Sequence, residues 1–228
     1  MKHANWTITL HLLFILTILV SIFGYYLYQN MKEKFSGKAP TITIVVARYD
    51  EDVSWTKQFK NVIIYNKGEK LNDDTYNEIL LPNVGREGHT YYTHIYHNYH
   101  KLSDYTIFLQ ANTQDHADNI PEKIEAYLND KYLDIDIEYL GRDNYDFKLS
   151  GDPMFSSVPL MDIYEKIFGE KHADMDLSYN AGALFIVSKK RILKRPRDFY
   201  LKIINLLKYE VNPIEGHAIE RFHKLIFS

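Results

Sequence analysis

Cysteine is absent from all 228 residues. Its absence excludes disulfide bridges, thiolate catalysis and cysteine-ligated zinc together. A strong positive charge is missing as well, since 27 basic residues are set against 30 acidic ones and the formal net charge is −3. Nucleic-acid-binding domains usually carry a basic face, so this balance predicts a protein that does not bind nucleic acid.

Several motifs that mark well-known enzyme classes are also missing. The chain has no G-x-x-x-x-G-K-[ST] phosphate loop and no G-x-S-x-G nucleophile turn, which argues against P-loop nucleotide binding and acyl-transfer hydrolysis. Four histidines, His89, His94, His97 and His100, have near-helical spacing but lack the glutamate of an H-E-x-x-H zinc motif. A partly exposed amphipathic helix is favoured, and a metal hydrolase remains an alternative.

A long apolar run lies near the N-terminus. Trp6 to Leu27 carries no formal charge and is long enough, at about 1.5 Å per residue, to cross a hydrocarbon core of roughly 30 Å as a helix. A cleaved signal peptide is the alternative, but no small-x-small cleavage site follows. We predict a tail over residues 1–5, a membrane anchor over 6–28 and a stem over 29–40. Flanking lysines are nearly balanced, and the short tail favours a type II protein with a luminal or extracellular C-terminal domain.

Strand and helix patterns alternate through residues 41–228. Apolar β-branched runs predict strands, and helical spacing predicts the helices between them. The predicted strands are 41–47, 61–65, 105–110, 133–139 and 183–187; the predicted helices are 55–59, 90–100, 121–128, 161–168, 197–209 and 217–227. Residues 141–159 are expected to form a long surface loop. The alternation predicts one α/β domain with a mostly parallel sheet flanked by helices, Rossmann-like in layout.

Polar residues concentrate where predicted strands end, which is where ligands bind in open α/β sheets. Arg48 and the carboxylates of residues 50–52 follow the first strand and suit a nucleotide or a metal-bound diphosphate, although helix capping accounts for one of the acids. In residues 83–89, two glycines permit close backbone approach and Arg86 suits a phosphate, with a structural turn as the alternative.

The third strand exit, residues 110–116, contains Asp115 and His116 but no Asp-x-Asp pair. A carboxylate together with substrate phosphates is often enough to hold Mg²⁺ or Mn²⁺. Further along, His217, Glu220 and Arg221 share one helix face. They are interpreted either as a polar network beside a pocket or as an anchor for the last helix; the structural role is favoured for Glu220 and Arg221, and His217 is left open.

Six segments, taken in order over most of residues 42–227, resemble an uncharacterised family of unknown function found in fungi, algae and large viruses. They are VVARYDEDVSW, VIIYNKG, LPNVGREGHTYYTHI, YTIFLQ, GALFIVSKKRILKRPRDFY and EGHAIERFHKLIF. The layout is similar to that of GT-A glycosyltransferases, in which an Asn-x-Gly-Arg-acid box also precedes a helix and an apolar strand. The resemblance implies a GT-A fold, with Arg48, Asp50, Arg86 and Glu87 at donor-binding positions. Gln110 and Asn112 stand where carboxylates are expected, a departure that bears on metal dependence and on catalysis.

The expected function is a membrane-anchored glycosyltransferase that moves a sugar from a nucleotide-sugar to a glycan or glycoprotein acceptor. A non-catalytic, membrane-tethered glycan- or protein-binding domain of the same fold is the alternative. The catalytic candidates are Asp115 and His116 near the anomeric carbon and Asp162 and His217 as acceptor base, with Asp115 also a candidate ligand for Mn²⁺ or Mg²⁺. The substrate-binding candidates are Arg48, Asp50, Asn83, Arg86, Glu87, His89, Gln110, Asn112 and Asn180.

Overall fold

A computed structural model describes residues 15–28, 39–151 and 156–228 of the chain. Residues 15–28 form helix α1, and residues 40–129 with 133–228 form a separate compact unit. Within the described ranges, no helix is both long and apolar enough to cross a membrane. The predicted tail, residues 6–14 of the predicted anchor and residues 29–38 of the predicted stem lie outside these ranges. The membrane anchor therefore stays a prediction.

A six-stranded sheet forms the centre of the larger unit. Its strands are β1 (Ile42–Arg48), β2 (Val62–Asn66), β3 (Glu78–Leu80), β4 (Tyr105–Gln110), β5 (Ile137–Tyr139) and β8 (Phe185–Ser188), while β6 (Asn144–Lys148) and β7 (Asp176–Asn180) form a separate antiparallel pair. The strand order is β3-β2-β1-β4-β8-β5. Strands β3, β2, β1 and β4 are parallel, and β8 runs antiparallel to both of its neighbours. The mostly parallel α/β sheet predicted from the sequence is confirmed.

Helices cover both faces of this sheet. They are a 3-10 helix (Ser54–Gln58), α2 (Arg86–Asn98), α3 (Ile120–Asn129), α4 (Leu160–Phe168), a single turn α5 (Lys189–Ile192), α6 (Arg197–Leu207) and α7 (Ile214–Ile226). Val45 and Phe108 point into the core formed with α2, α4, α6 and α7. Ile44 and Ile107 point to the opposite core, which α3 closes. Burial on both faces explains why β1 and β4 are continuous apolar runs rather than alternating ones.

The predicted loop over residues 141–159 is the clearest error in the sequence-based fold. Strand β6 lies within it and pairs with β7, about thirty residues further along the chain. Tyr145 and Phe147 are more buried than the polar residues on either side of each, so β6 does alternate, but only two apolar side chains carry the pattern. The short strand β3 was not expected either. Both strands depend on distant partners, which a local pattern does not reveal.

Helix α2 begins at Arg86, four residues before the predicted start at Thr90. The difference matters because it places Arg86 and Glu87 in the first helical turn rather than in a loop. Strand β1 lies between β2 and β4. The chain adds β2 and β3 on one side of β1 and then crosses to add β4 on the other side, so the direction of strand addition reverses at β1. Such a switch point opens a crevice beyond the carboxyl ends of the two central strands.

Candidate functional site

A cavity of about 220 Å³, here called cavity A, opens at this switch point. Ala47 and Gln110, which face each other at the ends of β1 and β4, belong to its lining. The full lining is Ala47, Arg48, Tyr49, Glu51, Lys67, Asn83, Arg86, Glu87 and Gln110. Five of the residues predicted to bind substrate are among them: Arg48, Asn83, Arg86, Glu87 and Gln110. The fold thus brings the first two predicted strand exits together with the start of the third.

Arg86 is held at the edge of cavity A by a residue 131 positions away. Its Nη1 lies 2.9 Å from Nδ1 of His217, and its Nε lies 3.5 Å from a carboxylate oxygen of Glu87. A guanidinium only donates, so the imidazole accepts and is neutral. Burial, followed by the charges of Arg86 and Arg221, lowers the pKa of His217 and favours that neutral form. The arrangement fixes the guanidinium while leaving its positive charge largely uncompensated by His217.

Arg48 also lines cavity A, but much of its hydrogen-bonding capacity is used by the protein. Its Nε donates to the carbonyl of Glu51 at 2.9 Å, and its Nη1 donates to the carbonyls of Tyr49 and Glu69 and to Oδ1 of Asn66. These bonds tie the loop after β1 to the loop after β2. Arg48 therefore builds the wall of the cavity through protein contacts.

Lys67 is a lining residue that the sequence analysis missed. Its ammonium group donates to the carbonyl of Val84 at 2.6 Å and to the carbonyl of Arg86. Burial lowers its pKa to about 8, and the nearby charge of Glu87 opposes that effect. A single lysine in an Asn-Lys-Gly turn looks like an ordinary solvated residue. Its position shortly after the end of a predicted strand was the available signal.

The two glycines of the Gly-Arg-Glu-Gly turn serve helix packing. Gly85 has a left-handed φ of +64°, and a Cβ built on it would lie 2.7 Å from the carbonyl oxygen of Leu207. A Cβ on Gly88 would lie 3.3 Å from Cδ1 of the same leucine. The backbone N–H groups of Gly85 and Arg86 donate to the connection between α6 and α7. The close approach predicted for a ligand is thus made here by the end of α6.

Gly182, between β7 and β8, connects the end of β4 to α7. Its carbonyl accepts a hydrogen bond from Nε2 of Gln110 at 2.8 Å, and its N–H donates to Oε1 of Glu220 at 2.8 Å. The ring of His116 lies directly against it, where a Cβ would stand. Burial and the charge of Glu87 raise the pKa of Glu220. Gly182 therefore packs against His116 and orients Gln110.

A second cavity, here called cavity B, lies beyond the end of β4 and has a volume of about 960 Å³. Asn112 and Glu51 belong to its lining, and Glu51 is shared with cavity A. The amide of Asn112 donates to the exposed carboxylate of Asp115 at 2.9 Å. Asn112 is therefore the predicted binding residue that lines cavity B.

The remaining predicted residues lie elsewhere. Asp50 has a carboxylate oxygen beside Gly68, and His89 is buried in the first turns of α2, where burial and the charge of Lys67 lower its pKa to about 4. Asp162 is exposed on α4. Asn180 is buried at the end of β7 and donates to the carbonyl of Asp143 at 3.1 Å. These four residues are not part of the lining of cavity A.

Metal-ligand geometry was a second expectation at this edge. In the three described ranges, no group of three or more histidine, aspartate or glutamate side chains is placed to hold a metal ion. The helical histidines diverge: His94 is buried against the hydroxyl of Tyr65 at 3.0 Å, whereas His97 and His100 are exposed. This geometry gives no support to the metal-hydrolase alternative.

The first strand through the start of β6 resembles known sequences. Residues 44–145 match a family described as a protein of unknown function (DUF3431). The matched segment contains every residue that lines cavity A. The predicted resemblance to a family of unknown function is confirmed over residues 44–145. Comparisons with curated proteins and with solved structures give no match.

Proposed function

We propose that the protein is a GT-A-like glycosyltransferase that transfers a sugar from a nucleotide-sugar to a glycan or glycoprotein acceptor. The observation that carries this proposal is cavity A, where arginine, lysine and carboxylate side chains from three chain segments surround the switch point of a mostly parallel sheet. Nucleotides bind at such switch points in other open α/β sheets. In this proposal residues 6–28 anchor the protein as type II, with the domain luminal or extracellular.

Arg86 supports the donor half of the reaction. It lines the cavity with 30% of its side chain exposed and is held by His217 and Glu87. A pre-oriented guanidinium binds diphosphate oxygens in two-point fashion and stabilises the charge that develops on the leaving group. Asn83 and Gln110, which also line the cavity, supply amide groups for ligand hydroxyls or phosphates.

The transfer step needs a group that takes the acceptor proton. His217 is the preferred base among the predicted candidates, because its neutral ring lies 2.9 Å from Arg86, which lines cavity A, whereas Asp162 is exposed on α4. The acceptor oxygen bonds to the anomeric carbon, the bond from that carbon to the diphosphate breaks, and the diphosphate leaves with the electron pair. The hydroxyl proton passes to the ring nitrogen of His217 that otherwise accepts from Arg86, so that hydrogen bond breaks as the proton is transferred. Asp115 and His116 are placed near the anomeric carbon in this proposal.

A divalent cation, Mn²⁺ or Mg²⁺, belongs to the proposal through Asp115 and the donor diphosphate. Asp115 is exposed and accepts from Asn112, so its carboxylate is the one candidate ligand that the sequence analysis names. A bound cation would offset negative charge on the diphosphate. Arg86, at the start of α2, has the same role in this proposal.

A specific observation favours the second candidate, a non-catalytic glycan- or protein-binding domain. Gln110 uses its amide to fix the backbone of Gly182 at 2.8 Å, and Asn112 uses its amide on Asp115. The two residues that replace the expected carboxylates therefore make structural contacts. A binding domain requires the cavities but no group that accepts a proton.

The test is thermal shift of the full-length chain against a panel of nucleotides, nucleotide-sugars and neutral glycans, each with and without Mn²⁺. We expect stabilisation by at least one nucleotide-sugar, since a ligand that binds only the folded state raises stability. The Arg86→Ala variant should lose about tenfold or more in affinity, given the strength of charge-assisted hydrogen bonds. Arg191→Ala, which removes a paired arginine at the opposite end of the sheet, is the matched control.

The outcomes separate the two candidates. Stabilisation by nucleotide-sugars with release of nucleoside diphosphate, reduced in kcat by His217→Ala, supports the transferase. Stabilisation by glycans alone, with no effect of any nucleotide, supports the binding domain and contradicts the transferase. An Arg86→Ala variant that binds as tightly as wild type would show that cavity A is not the donor site.

A further inference from the structure

Three cationic side chains line cavity A, but they are not equally available to a ligand. The guanidinium of Arg48 uses Nε and Nη1 on four protein oxygens. Arg86 donates to His217 and lies 3.5 Å from Glu87, and 30% of its side chain is exposed. Lys67 is the third. The question is whether its ammonium group is a structural tie, as in Arg48, or also a ligand contact.

The hydrogen-bonding capacity of Lys67 answers part of this question. An ammonium group has three donors. The carbonyls of Val84 and Arg86 accept hydrogen bonds from two of these donors and hold Nζ in place. The third N–H group then points in the direction that the tetrahedral geometry of the ammonium leaves to it. Lys67 is only half-buried and lines cavity A, so its group remains within reach of a ligand.

The charge balance of the cavity also favours an anionic ligand. The lining contains three cations, Arg48, Lys67 and Arg86, and two carboxylates, Glu51 and Glu87, which leaves one net positive charge. One carboxylate oxygen of Glu51 accepts a hydrogen bond from the backbone N–H of Tyr49 at 2.7 Å. Lys67 contacts carbonyl oxygens, which carry no full charge, so these contacts orient its ammonium without neutralising it.

We propose that Lys67 is a ligand-binding residue of cavity A, where its ammonium group contacts an anionic oxygen of a diphosphate alongside Arg86. The same ammonium positions Arg86, because it bonds to the carbonyl of that residue at the first position of α2. The diphosphate as ligand rests on the proposed function; the requirement for a compact anion rests on the cavity itself. Burial, which lowers the pKa of Lys67 to about 8, leaves the group mostly charged at neutral pH.

The experiment is calorimetric titration of the full-length chain with inorganic pyrophosphate and, separately, with a nucleoside diphosphate. Lys67→Met keeps the length of the side chain and removes its charge, and Lys67→Arg restores the charge. Lys70→Met, an exposed lysine in the same loop that is outside the lining of cavity A, is the matched control. Lys67→Met should weaken binding about tenfold or more and reduce its dependence on ionic strength, while Lys70→Met leaves both unchanged.

A pH series distinguishes a ligand contact from a purely structural tie. The affinity of wild type should fall as pH rises through the pKa of Lys67, starting from about 8 and displaced upward by a bound anion. Lys67→Met should lack that fall, and Lys67→Arg should regain part of the affinity with no fall over the same range. Circular dichroism on each variant confirms that it is folded before titration.

The possible results keep this inference separate from the proposed function. Equal affinity and equal pH dependence in wild type and Lys67→Met would overturn the role of Lys67 even if nucleotide-sugars bind and react. Pyrophosphate binding that depends on Lys67, with no response to any nucleotide-sugar, would uphold Lys67 and contradict the transferase. No binding of pyrophosphate or of a nucleoside diphosphate by folded wild type would overturn the anion site.

Discussion

Charged side chains have different bonding partners at the two ends of the central sheet. At the amino ends of β1 and β4, Asp104 accepts from the N–H and the hydroxyl of Thr41, both at 2.8 Å, and Arg191 pairs with Asp136. At the carboxyl ends, Lys67 bonds to carbonyl oxygens and Arg86 bonds to a neutral imidazole. The amino end therefore pairs its exposed acids locally, whereas the carboxyl end keeps partly buried cations.

This difference supports the proposal that the ligand binds at the carboxyl end of the sheet. An opposite charge at contact distance neutralises an ionic group, but a carbonyl or a neutral ring orients a cation without cancelling its charge. Glu87, 3.5 Å from Nε of Arg86, is the partial exception. Partly buried positive charge beside a cavity is costly to maintain without an anion, and an arriving phosphate would relieve that cost.

The largest expected loss of stability tests whether packing against α6 holds the turn at the carboxyl end of the sheet in place. Gly85 and Gly169 both have left-handed φ values, +64° and +80°, but a Cβ on Gly85 would lie 2.7 Å from the carbonyl oxygen of Leu207 while nothing lies within 4 Å of one on Gly169. Gly85→Ala should lower the free energy of unfolding by about 3 kcal/mol, through strain and overpacking, and Gly169→Ala by about 1 kcal/mol. Urea denaturation measures both. Equal losses would contradict the packing account.

The next prediction concerns the pH dependence of stability, to which α7 and the amino end of the sheet should contribute over different pH ranges. Burial lowers the pKa of His223 on α7 to about 3, so the folded state resists its protonation. The unfolded chain binds that proton near pH 6.5, so stability is lost progressively as pH falls below 6.5 toward the folded pKa. His223→Phe should therefore lose about 2 kcal/mol less than wild type between pH 7.5 and pH 5.0.

Controls for this pH prediction come from the two regions compared above. His97→Gln, at an exposed position of α2, should change as wild type does. Asp136, whose pKa the bond with Arg191 lowers below 3.8, should contribute only at still lower pH, because a depressed carboxylate pKa loses its stabilising effect as pH falls below the ordinary value. Identical pH profiles for wild type and His223→Phe would refute the prediction.

The smallest effect is expected at the amino end itself. Asp104→Ala removes two hydrogen bonds from Thr41 at an exposed site, so the free energy of unfolding should fall by about 1 kcal/mol or less. Binding of pyrophosphate should remain at the wild-type level. A large loss of anion affinity in this variant would show that the two ends are coupled and would weaken the contrast between them.

Much of the fold was predictable because its strands carry local patterns. β1, β2, β4 and β8 were located from apolar runs, and α3, α4, α6 and α7 from helical spacing. The antiparallel direction of β8 and the β6–β7 pair were not predictable in that way, since direction and pairing are set by partners far along the chain.

The residues of the candidate site were likewise predictable only in part. Gln110 was found because it ends an apolar run, and Arg86 and Glu87 because they lie between paired glycines; the fold places all three around cavity A. Lys67 was missed because nothing in an Asn-Lys-Gly turn shows that its ammonium will meet the carbonyls of Val84 and Arg86. Asp162 was included on residue type alone, and it lies exposed on α4.

The sequence by itself determined that residues 41–228 form an α/β domain with polar strand exits, because side-chain pattern and backbone preference act over a few residues. Tertiary structure alone decided which polar groups converge: Arg86 with His217, Gly182 between Gln110 and Glu220, and Lys67 beneath the turn that begins α2. Those contacts join segments that are up to 131 positions apart. Their geometry follows from strand order and helix packing, which depend on the whole chain.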